Sequence, residues 1–213
     1  MKRNNLLKKT LPVLVHIGAL VPLAIMLWGF FDNQFINPIQ ELTFRTGRYA
    51  LHLLILSLAC TPLNTFFGWR WAISLRKMLG LYAFMYAALH FSIFVGLDYG
   101  FNWELLSEAI FEKRYALVGF TAFLILLPLA ITSTKGWMKR LGRNWKRLHR
   151  LVYLTALLVI VHFIWLVKGD IQRPLIYGAV VVFLLILRWP PIRKWAGSLR
   201  RLLASSAKNA SLI

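Results

Sequence analysis

The sequence predicts an all-α integral membrane protein, a bundle of six transmembrane helices with both termini in the cytoplasm. Of its 213 residues 59% are hydrophobic, and the mean hydropathy is +0.62, which is too apolar for an ordinary soluble domain. Long runs of the chain contain no charged residue, and the charges between them alternate in kind from loop to loop. The spans are predicted, within a single domain over 1–213, at 11–31, 49–69, 78–97, 115–134, 149–168 and 174–189.

The lengths of the runs support this fold, because about twenty apolar residues cross the hydrocarbon core of a bilayer. The last run is shorter, and we expect Arg173 and Arg188 at its ends to extend their side chains to the interfaces. The first run is interpreted as a retained helix, since the sequence 29–32 at its end offers no small-residue cleavage site for a signal peptidase.

The loops sort the charges onto two sides of the membrane. The basic side carries most of the 26 basic residues, namely Lys2, Arg3, Lys8, Lys9, Arg70, Arg76, Lys77, Lys135, Lys139, Arg140, Arg143, Lys146, Arg147, Arg150, Arg188, Arg193, Lys194, Arg200, Arg201 and Lys208. The acidic side holds the remaining basic residues, Lys168 among them, and every acid, namely Asp32, Glu41, Asp98, Glu104, Glu108, Glu112 and Asp170. The positive-inside rule places the basic side in the cytoplasm. The net charge of +19 is therefore a feature of topology and of lipid contact, and it does not indicate nucleic-acid binding.

Few residue types remain for chemistry within the membrane. Asp, Glu, Lys and Arg are absent from the middle of every predicted span, which argues against a proton pump or an ion-coupled transporter with a buried carboxylate. Cys60 is the only cysteine, which excludes an intrachain disulfide and a metal site built from cysteines. The remaining candidates are the histidines His16, His52, His90, His149 and His162.

Two of these histidines are predicted to lie at the same depth. His90 and His162 follow the basic-side ends of the third and fifth spans by about 18 and about 17 Å, at ~1.5 Å per residue. Two histidines on different helices at one depth can ligate a single heme iron from its two faces. The alternative is that each forms a hydrogen bond across a helix interface. Because no C-x-x-C-H motif occurs, a heme here is expected to be b-type.

A second heme is a weaker prediction. His149 precedes His162 by about 20 Å along the helix axis, but the two side chains point about 140° apart on an ideal helix. Arg76 occupies the matching depth on the third span, so His16 on the first span is the candidate partner of His149. The prediction is therefore one heme, or two. His52, near the outer end of the second span, is interpreted as an interfacial hydrogen-bonding residue.

Two further patterns bear on ligands. The loop 135–149 mixes basic residues with tryptophan and leucine, which is typical of a segment that binds anionic lipid head groups and that also offers a docking face for an acidic partner or a flavin phosphate. Glycines within the spans allow close approach of a helix or a porphyrin, and they are Gly18, Gly80, Gly119 and Gly178.

Several segments resemble the ferric-reductase-like transmembrane superfamily. Residues 76–90 are similar to its third helix, and residues 145–153 with 162–165 are similar to its fifth. Within that superfamily, the chain most resembles the heme-binding membrane subunits of periplasmic methionine sulfoxide reductase systems. The stretches that carry this closer resemblance are 46–51, 58–63 and 175–178.

The resemblance implies a transmembrane electron-transfer subunit in the bacterial inner membrane. Such a subunit passes electrons through heme b to a periplasmic molybdopterin-containing methionine sulfoxide reductase, which repairs oxidised proteins, and FMN is a further cofactor of the group. His90, His149 and His162 take the role of ligands to the heme iron by this resemblance. Larger relatives carry a C-terminal flavin and nicotinamide domain, for which the 25 or so residues after the last span are expected to be too few. The donor is thus expected to be a separate cytoplasmic flavin reductase or the quinone pool.

Two other functions compete with this one. The first is a stand-alone ferric reductase, linked to quinol or flavin, that acts on a small acceptor outside the cytoplasm. The second is a heme-free transporter or assembly protein. In the favoured hypothesis the chain transfers electrons without reducing the final substrate itself, and its partner docks on the acidic side near 32–46 and 98–114.

Overall fold

A computed structural model describes residues 2–167 and 169–198, with side chains from Thr10 onward. Lys168, Arg200, Arg201 and Lys208, assigned above to the two sides, lie outside these ranges. All regular elements in the described ranges are helical, which confirms the predicted all-α class. They are α1 (Lys2–Phe31), α2 (Pro38–Phe67), α3 (Arg70–Ile93), a π-helical turn (Phe94–Asp98), α4 (Trp103–Glu112), α5 (Arg114–Ile131), α6 (Lys135–Leu141), α7 (Arg143–Leu148), α8 (Leu151–Leu166), α9 (Gln172–Ile186) and α10 (Pro190–Ser198).

Within the described ranges, five stretches of helix are long and apolar enough to cross a membrane unaided, and they contain α1, α2, α3, α5 and α8. The sixth predicted span, 174–189, contains most of α9 and ends before α10. Helices α9 and α10 meet that test only together, with a bend of 67° between them. Pro190 and Pro191 follow the bend. Helix α9 cannot continue through them, because proline has no N–H to donate and disfavours the α conformation of the residue before it. The structure thus has the architecture of a multi-span helical bundle that ends in a bent pair of apolar helices.

Several helices extend beyond the charge-free runs. Helix α2 begins at Pro38, where the Asn37 side chain accepts a hydrogen bond from the Gln40 N–H at 3.2 Å, and it ends at Gly68, which adopts a left-handed φ of 71°. Helix α3 begins at Arg70, well before residue 78. The region 98–114, expected as a connection, contains α4. A charge-free run locates the apolar core of a span, whereas caps determine where its helix starts and stops.

The helices pack as two extensive antiparallel pairs, α2 with α3 and α5 with α8. Helix α3 also contacts α5, α9 contacts α8 and α2, and α1 packs against α3. The main core lies where α2, α3, α8 and α9 meet, and its buried members are Leu51, Leu54, Leu58, Ala83, Ala156, Ile160, Val181 and Leu184. The small side chains in this set let the backbones approach closely, as is usual where helices pack in a membrane.

One polar contact stabilises this core. Pro62 has no N–H to offer the Leu58 carbonyl four residues earlier, so that carbonyl lacks its helical partner. The Arg188 guanidinium donates to the Leu58 carbonyl and, at 2.9 Å, to the Tyr153 hydroxyl. The side chain of Arg188 therefore extends into the bundle and not to the interface, and it joins α2, α8 and the end of α9.

Candidate functional site

The candidate site lies at the acidic-side ends of α3 and α8. His90 is in the last turn of α3, and His162 is in the last turns of α8. Their imidazole centroids are 6.2 Å apart, with the ring planes at 86°. The two histidines predicted to share one depth are thus neighbours, although they belong to different helix pairs.

A backbone carbonyl orients each imidazole. His90 Nδ1 lies 2.9 Å from the Thr43 carbonyl oxygen at the start of α2, and His162 Nδ1 lies 2.7 Å from the Tyr115 carbonyl oxygen at the start of α5. Because a carbonyl only accepts, each Nδ1 must carry the hydrogen. The lone pair is then on Nε2, which is the tautomer that a metal-ligating histidine needs.

Two glycines make room for the rings. A Cβ placed on Gly119 of α5 would lie 2.6 Å from His162 Nδ1, and one on Gly47 of α2 would lie 3.2 Å from His90 Nδ1. Any larger residue at Gly119 would therefore displace the imidazole. The sequence marked Gly119 as a point of close approach, whereas the only signal for Gly47 was its position in the 46–51 motif.

These features fit the axial ligation of a porphyrin iron. Two metal–imidazole bonds of about 2 Å each, together with the two ring radii, place the ring centroids about 6 Å apart, close to the observed 6.2 Å. The described residues contain no group of three or more His, Cys, Asp or Glu able to hold a bare metal ion. A porphyrin supplies four nitrogens itself and needs only the two imidazoles.

Aromatic side chains pack beside the pair. Phe91, next to His90, stacks on Phe123 at 4.7 Å and on Phe120 at 5.6 Å, and Phe84 stacks on Phe123 at 5.9 Å. These contacts join α3 to α5, and the ring of Tyr115 lies 6.3 Å from that of His162.

His149 has different partners. It follows α7, stacks on Trp145 with ring centroids 4.1 Å apart, and places Nε2 3.1 Å from the Thr132 hydroxyl. The Trp145 indole also donates to the Thr132 carbonyl at 2.9 Å. The structure brings no second histidine to His149, and this cluster attaches α7 to the end of α5.

The remaining histidines each contact a tyrosine. His16 Nδ1 lies 2.5 Å from the Tyr82 hydroxyl on α3, so the structure does not place His16 beside His149. His52 Nε2 lies 2.7 Å from the Tyr177 hydroxyl on α9, the interhelical hydrogen bond expected for it. Neither tyrosine was singled out from the sequence, because hydrogen bonding between helices has no sequence period.

Comparison with known proteins identifies the family. Residues 46–160 match the family described as ferric reductase like transmembrane component. The protein-methionine-sulfoxide reductase heme-binding subunit MsrQ of Xanthomonas axonopodis pv. citri (strain 306) is 46% identical over 179 residues, which cover 81% of this chain and 82% of that protein. The protein of the same description from Herminiimonas arsenicoxydans is 43% identical, with 82% of each chain covered. No solved structure matches.

These matches and the apolar helices both indicate a helical protein located in a membrane. The site residues His90 and His149 fall within the matched range, whereas His162 lies just beyond it. The protein is a multi-pass protein of the bacterial inner membrane. The chain belongs to the ferric-reductase-like transmembrane family and, within it, to the MsrQ group of heme-binding subunits.

Proposed function

We propose that this chain is the membrane subunit of a protein-methionine-sulfoxide reductase system and carries electrons through heme b held by His90 and His162. The observation that supports this most is that both Nδ1 atoms are bonded to carbonyls, which leaves two Nε2 lone pairs for one iron. The MsrQ relatives bear the name of heme-binding subunits of such systems.

The chain's own residues perform three tasks at this site. The imidazoles of His90 and His162 would hold the heme iron, and the carbonyls of Thr43 and Tyr115 fix their orientation and increase their basicity. Gly47 and Gly119 leave the space that the rings occupy. When bound, the heme supplies a one-electron redox centre inside the membrane.

The direction of transfer follows from where the pair lies. Because His90 and His162 are in the last turns of helices that end at the acidic side, electrons leave there. The acceptor is a periplasmic molybdopterin-containing reductase subunit, and the donor on the basic side is a flavin reductase or a quinol. FMN, if bound, finds phosphate partners in the basic segment of α6 and α7, where Arg140 also contacts the Trp137 ring.

A second heme would require side-chain contacts in the structure to change. His149 would have to leave Trp145 and Thr132 before its Nε2 could reach an iron, and no ring contact or hydrogen bond joins it to His16, which bonds to Tyr82. We therefore assign one heme to the pair, and a heme-to-protein ratio near one in purified material checks this assignment. A ratio near two that falls to one in His149→Ala would instead support a second heme bound by His149.

Visible spectra of protein purified in detergent test the ligand assignment. His90→Ala and His162→Ala are each expected to lose the reduced b-type absorbance, since one imidazole cannot hold the iron from both faces. His52→Ala is the matched control, because it removes another interhelical histidine and should leave the spectrum unchanged. Full absorbance in both ligand variants would show that the heme lies elsewhere.

The family match also favours a second candidate, a stand-alone ferric reductase. The two functions differ in what the heme reduces. Membrane vesicles that contain only this protein should not reduce an external ferric chelate at a rate comparable with electron delivery to the reductase subunit. Fast partner-free iron reduction that is lost in His90→Ala would support the ferric reductase instead.

A further inference from the structure

A groove runs between α8 and α9 at the basic-side ends of both helices. It has a volume of about 600 Å³, and its walls include Tyr153, Leu157, Val182, Ile186, Arg188 and Trp189. The side chains of Leu157, Val182 and Ile186 are between 41% and 49% exposed, so the groove is open to the outside of the bundle. None of the residues proposed above as heme ligands lines it.

One end of the groove carries a positive charge without a counter-ion. The Arg188 guanidinium has five N–H groups, and the structure pairs two of them, with the Leu58 carbonyl and the Tyr153 hydroxyl. Its Nε is buried and has no hydrogen-bond partner among the described residues. The one ion pair in that part of the chain joins Arg45 to Glu41. A partly buried cation is costly unless an anion compensates it, so this end of the groove favours an anionic ligand.

Contacts between α2 and α3 give the level of this charge in the membrane. Ser57, next to Leu58 in the sequence, donates to the Arg76 carbonyl at 2.9 Å, and Arg76 is among the last charged residues before the apolar part of α3. The Leu58 carbonyl, and with it the Arg188 guanidinium, is therefore level with these charges. Trp189 is 62% exposed, and exposed tryptophans are typical of the boundary between head groups and acyl chains. The charged end of the groove thus lies where the phosphate groups of the basic-side leaflet begin.

The rest of the groove restricts the ligand further. Val182 precedes Arg188 by about 9 Å along the axis of α9, and the exposed side chains between them are apolar. The ligand must therefore join an anionic group to an apolar tail that points towards the middle of the membrane. A free phosphate ion has no such tail, and a zwitterionic head group brings an ammonium group that the guanidinium repels. An anionic phospholipid meets both conditions, and such lipids bind basic pockets between helices on this side of a membrane.

We propose that this groove binds one anionic phospholipid, whose phosphate accepts hydrogen bonds from Arg188 and whose acyl chain lies along Leu157, Val182 and Ile186. Arginine suits this role because its planar set of N–H groups matches the oxygens of a phosphate. The inference goes beyond the proposed function and does not depend on bound heme. Because Arg188 also joins α2, α8 and the end of α9, the lipid binds where the last helices are attached to the bundle and stabilises that attachment.

Native mass spectrometry of the full chain, stripped of lipid in detergent, tests the site. Leu157→Trp should weaken the binding of the first phosphatidylglycerol molecule at least tenfold, because the indole fills the groove. Leu154→Trp is the matched control and should bind as tightly as the unchanged protein, since Leu154 is exposed on the same helix but does not line the groove. Phosphatidylethanolamine with the same acyl chains should bind the unchanged protein at least tenfold more weakly. Equal affinity for the two lipids, or equal affinity of the two tryptophan variants for phosphatidylglycerol, would overturn the proposal.

Inorganic phosphate and a second copy of the chain are the other occupants that the same measurement separates. Inorganic phosphate alone should not displace the lipid, and displacement would assign the site to a free anion. A dimer in the lipid-free spectrum that Leu157→Trp abolishes would assign the groove to a second copy. Either result would overturn the proposal.

Photolabelling locates the lipid on the unchanged protein. Phosphatidylglycerol with a diazirine in its acyl chain should label peptides from 151–166 and 172–189, and excess unlabelled phosphatidylglycerol should prevent the labelling. Folded Arg188→Leu should bind phosphatidylglycerol and phosphatidylethanolamine equally, because it lacks the charge that distinguishes the two head groups. Labelling confined to other helices, or a full preference for phosphatidylglycerol in folded Arg188→Leu, would overturn the assignment. The labelling requires no substitution, so it decides the question even if Arg188→Leu does not fold.

Discussion

Backbone carbonyls orient both imidazoles of the proposed ligand pair, so no single side-chain substitution removes the bonds from Nδ1. The carbonyls of Thr43 and Tyr115 are both near the first residues of their helices. The starts of α2 and α5 therefore determine where the imidazoles point. These partners could not be predicted from the sequence, since any residue type provides a carbonyl.

At the residue scale, a substitution at Gly119 tests whether this glycine makes room for the His162 imidazole. Gly119→Ala should lower the heme affinity about tenfold or more, because the new Cβ meets His162 Nδ1 at 2.6 Å and disturbed outer-shell contacts of metal ligands have effects of about this size. The measurement is the heme-to-protein ratio after purification with limiting heme. Gly18→Ala is the control, since a Cβ there meets nothing within 4 Å. Equal heme retention in the two variants would contradict the glycine's proposed role.

At the element scale, Arg188 at the end of α9 bonds to α2 and to α8 and so holds these three helices together. Arg188→Leu leaves the Leu58 carbonyl without a partner and should lower the free energy of unfolding by about 1–3 kcal/mol. Unfolding in mixed micelles measures the change. Arg193→Leu is the control, because Arg193 is exposed on the same side of the membrane.

A double-mutant cycle tests whether the lower stability of Arg188→Leu comes from the unpaired Leu58 carbonyl. Pro62→Ala restores an N–H that can bond to the Leu58 carbonyl, so Arg188→Leu should cost less in the Pro62→Ala background. The same cost in both backgrounds would mean that Arg188 acts through Tyr153 and not through the carbonyl that Pro62 leaves unpaired.

At the scale of the whole molecule, the proposed ligands come from different helix pairs. His90 belongs to the α2–α3 pair and His162 to the α5–α8 pair. A group bound by both should stabilise the packed bundle, since ligation favours only the folded arrangement. Protein expressed with sufficient heme should thus unfold at a higher temperature than heme-free protein. An unchanged unfolding temperature would indicate that the heme bridges no helix pairs.

The acidic side of the molecule is the surface on which we expect the reductase subunit to dock. Glu104, Glu108 and Glu112 are exposed along α4, and in the described part of the chain none of the three forms an ion pair. Changing all three to lysine should slow electron delivery to the reductase subunit, most strongly at low ionic strength, because charge complementarity mainly accelerates association. The heme spectrum should not change. Unchanged delivery at low salt would exclude α4 from the docking surface.

The sequence by itself determined the membrane fold, and it predicted the spans and the equal depth of His90 and His162. These features depend only on the hydropathy of each run and on the constant rise of a helix per residue. Both can be read from one segment of the chain without knowing its neighbours. The assignment of the basic side to the cytoplasm is likewise a prediction from the sequence.

Only the tertiary structure decided which residues meet. It joined His16 to Tyr82 and left His149 with Trp145, and it brought Gly47, Gly119 and two carbonyls against the ligand pair. The rotation of each helix about its axis and the identity of its neighbours depend on packing among all the helices. Residue spacing along one helix contains no information about either.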